Sequence, residues 1–168
     1  MRTFTALLMA SVSLSPQAGH ARGDLALRTG WIHNATTRFA LEGATRGAMN
    51  RLDKPECRQV LSEFQDSSGR TLQESLEALG DTPRTYLARI TFHEGLDTRS
   101  CRNPAILAFS TLGNRHVYLC SPQFWKAYRS NPTRVEATVI HEMMHTLGLG
   151  ENPPSPMEID AQVLKRCR

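Results

Sequence analysis

Several familiar catalytic signatures are missing from this chain. It contains no Cys-x-x-Cys pair, no Gly-x-Ser-x-Gly turn and no glycine-rich phosphate loop. Paired-cysteine zinc modules, serine hydrolases with a nucleophile elbow and P-loop nucleotide hydrolases are therefore poor fits. There is no internal repeat and no low-complexity linker, which argues for a single domain rather than an array. Charge of one sign is never blocked together. The net charge is only +4 and the basic residues are scattered, so no nucleic-acid partner is expected. Beyond the N-terminus no apolar run is long enough to cross a bilayer, and no membrane span is expected.

The N-terminus carries the one sustained apolar run. Arg2 precedes "FTALLMASVSLS", and Gly19-His20-Ala21 puts small residues where a signal peptidase needs them. Residues 1–21 read as a signal peptide and residues 22–168 as the functional domain. That reading places the protein outside the cell or in a periplasm. The four cysteines, Cys57, Cys101, Cys120 and Cys167, then belong in two disulfides. The favoured pairing is Cys101–Cys120, closing a short strand-turn-strand segment, with Cys57–Cys167 tying the chain end to the N-terminal half.

The periodicity changes along the chain. Residues 38–80 are helical in pattern. Pro55 suits a first helical turn, and Thr71 with Glu74 forms a capping box ended by Gly80. "TYLARITFHE" alternates Tyr86, Ala88, Ile90 and Phe92, which predicts a strand. "AILAFS" and "HVYLC" predict two more strands, joined by the turn residues of "TLGN". Ser121-Pro122 predicts a cap and first turn, and Asn131-Pro132 opens a helix running to about Leu147. "NPPSP" is a loop before a terminal helix. Helices, then a small sheet, then helices make the class α+β.

The chemistry concentrates in "HEMMHTLGLGE", residues 141–151. His141 and His145 are four apart, so they leave a helix about 40° apart on one face and can share one zinc ion. Glu142 lies about 60° from His145, beside the metal, where a carboxylate can act as general base and then proton donor to a leaving amine. Val135, Val139, Ile140, Met143 and Leu147 occupy the other arc and would bury it. His93-Glu94 reads as a solvated strand end. His116 and Tyr118 stand on a strand that could border the cleft and donate a hydrogen bond to a tetrahedral intermediate. The plainer reading is a packed tyrosine and an exposed histidine.

This segment resembles the active-site helix of the zincin metallopeptidases, and its spacing is similar to the metzincin form, His-Glu-x-x-His-x-x-Gly-x-x-ligand. "CRNPAILAFSTLGNRHVYLCSPQFW" loosely resembles the cysteine-framed strand pair ahead of that helix in deuterolysin-like zincins. A small family of secreted bacterial zincins fits both likenesses. The resemblance implies a zincin-like fold, zinc on His141 and His145, and Glu142 as general base. The last ligand position holds Glu151. A chain reversal at Gly148 and Gly150 would carry it back to the histidines. Glu158 and Asp160, on the following helix, are the alternatives for the third ligand. Met157 stands where a methionine turn could fall, although a core contact of the last helix suits it better.

The expectation is a monomeric, secreted zinc metalloendopeptidase acting on peptides or proteins. A zinc amidohydrolase of cell-wall peptides and a non-catalytic zinc-binding domain are the competing readings.

Overall fold

The structure, a computed structural model, describes residues 28–30 and 32–168. The signal peptide expected at 1–21 lies outside the described residues. The class is α+β, as the period changes predict.

Helix α1 (Ala35–Leu52) begins at Asn34, whose side chain accepts from the backbone N–H groups of Thr36 and Thr37. It buries Ala40, Leu41, Ala44, Ala48 and Leu52, a three-and-four spacing that makes one apolar stripe. Two short helices come next, α2 (Pro55–Arg58) and α3 (Val60–Glu63), in the segment opened by Pro55. Helix α4 (Leu72–Ala78) starts with the expected capping box of Thr71 and Glu74.

Residues 83–88 depart from the expectation: they are helical (α5, Pro83–Ala88) rather than part of a strand. Thr82 caps this helix by accepting from the Thr85 N–H, and Pro83 fits its first turn. The alternation that predicted a strand comes from burial in a helix: Tyr86 and Leu87 face the core. The strand proper is the shorter Thr91–Glu94.

Among the described residues the sheet has four strands. β1 (Arg28–Thr29) pairs in parallel with β2 (Thr91–Glu94), and β2 pairs in parallel with β4 (His116–Leu119). β3 (Ala108–Ser110) pairs antiparallel with β4, in the expected hairpin, giving the order β1-β2-β4-β3. β3 is thus an edge. Phe92, Val117 and Leu119 point into the core, while His93, His116, Tyr118 and Phe109 share the other face.

Helix α6 (Ser121–Ser130) has Cys120 at its N-cap position, one residue before the expected Ser121 and without a side-chain cap bond. Ser121 sits inside the helix and donates its hydroxyl to Glu94, so Glu94 is not simply a solvated strand end. Helix α7 (Pro132–Thr146) packs on α1, α6, α8 (Pro156–Arg166) and β3, which makes it the centre of the core. Gly47 lets α1 approach α7: a Cβ there would collide with the Glu136 carboxylate. That carboxylate is held by Arg51 at 2.6 Å, an ion pair fastening the two helices.

Both expected disulfides are present, Cys57–Cys167 and Cys101–Cys120, and no free cysteine is left. Among the described residues no helix is long and apolar enough to cross a membrane. Two disulfides fit an oxidising, extracellular or periplasmic compartment.

Candidate metal centre

Helix α7 carries His141, Glu142 and His145, all buried despite their polarity. Its C-terminal end sets the course of the chain beyond it. Gly148 takes φ +111°, its N–H donates to the His145 carbonyl, and the Leu149 N–H donates to the Met144 carbonyl. These paired bonds form a Schellman ending, which reverses the chain sharply. Gly148 alone takes the positive φ; Gly150 does not. A Cβ at Gly148 would also press on Asp66, whose backbone bridges to Leu149 and steadies the reversed segment.

The reversal brings Glu151 back over the helix. Its Oε1 lies 3.0 Å from His145 Nε2 and 3.7 Å from His141 Nε2, and the two Nε2 atoms are 2.9 Å apart. One ligand atom from each of the three residues falls within a 4.8 Å span, so together they could hold a metal ion.

Donor chemistry tests that fit. His145 Nδ1 is 2.6 Å from the Leu149 carbonyl, which can only accept, so Nδ1 carries the hydrogen. His141 Nδ1 stands 2.7 Å from the Asp160 carboxylate, again as donor. In the neutral rings both Nε2 atoms are therefore bare lone pairs, aimed at one point together with a carboxylate oxygen. Three acceptors converging there are a set that a cation could bridge. His141 registers the same field as a proton. Burial, the largest single effect, pulls its pKa down. The hydrogen bond to Asp160 and the charges of Glu142, Asp160 and Glu151 outweigh burial and raise it. The residues present thus fit a metal ion.

Glu142 lies beside the cluster. Burial raises its pKa, against the lowering effect of the Ser110 hydroxyl, which donates to Oε2 at 2.7 Å, and of the two histidines. These groups open on a cavity of about 560 Å³ walled on one side by residues 105–110 and on the other by α7.

The other sequence candidates fall elsewhere. Glu158 is held at its own helix start, where its carboxylate accepts from the Ser155 N–H and hydroxyl, both at 2.7 Å. Asp160 reaches the site as a partner of His141 Nδ1, on the side of the ring turned away from the cluster. Met157 is 81% exposed, so it is neither a core contact nor a floor beneath the histidines. His116 and Tyr118 do not line the cavity. His116 Nδ1 meets His93 Nε2 at 2.6 Å, and Tyr118 stacks between His93 and Phe109. Sequence reasoning missed Ser110 and the orienting role of Asp160. Both come from other elements, and no local pattern marks them.

Comparison with protein-family models, with curated proteins and with solved structures finds no significant match. What fold and site define is an α+β, disulfide-bonded protein in which two buried histidines and the exposed Glu151 form a cluster able to hold a metal.

Proposed function

We propose that this protein is a zinc-dependent metallopeptidase of the zincin kind, acting outside the cytoplasm. One observation carries the reading: a buried carboxylate, Glu142, lies next to three converging metal donors, at the floor of an open groove. A structural metal site has no use for such a group.

Two imidazoles and a carboxylate are a donor set that zinc accepts in catalytic sites, with a coordination position left over. Zinc held by His141, His145 and Glu151 would supply Lewis acidity. The protein side chains do the rest. Glu142 takes the proton from the attacking water and passes it to the leaving nitrogen; its raised pKa suits both tasks. Ser110 holds that carboxylate in one orientation. Asp160 and the Leu149 carbonyl fix the tautomers of His141 and His145, as outer partners of metal-binding histidines do. The free edge of β3 faces the cavity, and an extended peptide could add to it as a further strand.

The test is hydrolysis of a quenched fluorescent peptide pool by the purified protein. Chelation should abolish cleavage and zinc should restore it. Zinc binding without hydrolysis of any peptide would support the non-catalytic reading. Cleavage confined to cell-wall peptides would support the amidohydrolase.

A further inference from the structure

A second cavity, of about 550 Å³, adjoins the first. The two share Ala105, Leu107 and Arg134, so they make one groove along the segment leading into β3. The groove is electrically polarised. Glu142, Glu151 and Asp160 line its metal end, whereas the second cavity is lined by Lys126 and by Arg134, which borders both, and among the described residues by no acid.

The other polar groups there are already engaged. Gln123 donates to the Cys101 carbonyl, Ser130 to carbonyls of its own helix, and Asn131 caps α7. Among the described residues neither Lys126 nor Arg134 forms an ion pair. Lys126 and Arg134, both exposed, therefore leave positive charge uncompensated in that recess, where a bound anion would be attracted.

The spacing says where on a substrate the anion belongs. Arg134, Thr138, His141 and His145 succeed one another on a single face of α7. Arg134 precedes His141 by seven residues, roughly 10 Å along the axis at 1.5 Å per residue. An extended peptide covers that distance in about three residues. The chain direction gives the end for a peptide that pairs antiparallel to β3. The segment through β3 runs from Arg134 toward the metal end, where Ser110 meets Glu142 and Gly113 donates to the His145 carbonyl. A peptide pairing antiparallel to β3 runs the opposite way. Its residues C-terminal to the cleaved bond then lie toward Arg134.

We propose that Arg134 and Lys126 form a binding site for an acidic side chain, about three residues C-terminal to the bond that is cut. The position relative to the bond rests on the metallopeptidase reading; the anion site does not.

Two measurements test this. In the first, the Glu142→Gln protein, loaded with zinc, is titrated by fluorescence anisotropy with C-terminally amidated peptides of one neutral sequence carrying either Glu or Gln. The Glu peptide should bind about three- to tenfold tighter, as expected of a partly exposed charge-assisted contact. Adding Arg134→Gln should remove the difference, and Arg134→Glu should favour a Lys peptide instead. In the second, the zinc-loaded wild type digests a random peptide library, and acids should be enriched at the third residue after the cut. Equal binding of Glu and Gln peptides overturns the site. A gain only from a free terminal carboxylate overturns the side-chain assignment. Acids enriched before the cut overturn the direction. Discrimination in binding with no cleavage of any peptide sinks the metallopeptidase reading and leaves the anion site standing.

Discussion

Asp160 on α8 reaches across to His141 on α7, its Oδ1 2.7 Å from the ring Nδ1, so that Nε2 is turned toward His145 and Glu151. The terminal helix is therefore part of the candidate metal centre without contributing an atom to the cluster. Asp160→Ala should weaken zinc binding by roughly 10- to 100-fold, as loss of an outer histidine partner does. Competition against a chromogenic chelator measures this. An unchanged affinity would mean that α7 alone orients His141.

Glu151 and Glu158 should separate cleanly. Glu151→Ala removes a carboxylate from the cluster and should lower zinc affinity more than Asp160→Ala does. Glu158→Ala should leave zinc binding nearly intact and cost about 1 kcal/mol of stability, because it removes half of a capping box. Zinc titration paired with chemical denaturation gives both numbers. The reverse ranking would move the third donor onto α8.

Glu142→Gln should bind zinc and fail to hydrolyse, with a loss of several orders of magnitude in kcat. Ser110→Ala, which frees the carboxylate to rotate, should reduce kcat by about tenfold and change KM little. A Glu142→Gln variant that retains most of its turnover would remove the general base from the mechanism.

The disulfides should differ in worth. Cys57–Cys167 spans 110 residues and Cys101–Cys120 spans 19. By loop-closure entropy their removal should cost about 5 and about 3 kcal/mol respectively. Urea unfolding of the two double-serine variants gives the ranking.

The His93–His116 pair should make stability pH-dependent. Burial, and then the neighbouring His116, lower the His93 pKa in the folded protein. The unfolded chain therefore takes up the proton more readily. This contribution to stability is complete above the ordinary histidine pKa of about 6.5 and shrinks as the pH falls below it. Between about pH 7.5 and 5.5, a window bracketing that value, the wild type should lose more Tm than His93→Gln does. Equal losses would show that the pair is neutral toward folding.

Some of this protein was set by local sequence. The Thr71/Glu74 and Ser155/Glu158 capping boxes each satisfy backbone groups within four residues, so they form wherever the helix forms. The ending at Gly148 is equally local, because a left-handed residue after a helix strongly favours glycine. The four-residue spacing fixes His141 and His145 on one face for the same reason. Helix Pro83–Ala88 carries a local start signal in Thr82, Pro83 and Thr85, but the alternation of Tyr86, Ala88, Ile90 and Phe92 masks it, because distant elements bury Tyr86, whose hydroxyl donates to the Thr146 carbonyl sixty residues away. The long-range partners were also hidden. Ser110 reaches Glu142 only because β3 packs on α7, and Asp160 reaches His141 only because α8 folds back over the cluster. Arg134 and Lys126 line one recess only because α6 packs on α7. Periodicity encodes which face of an element is buried, but not which element covers it. That choice depends on how the apolar faces of α1, α6, α7 and α8 are buried together, and only the tertiary structure decides it.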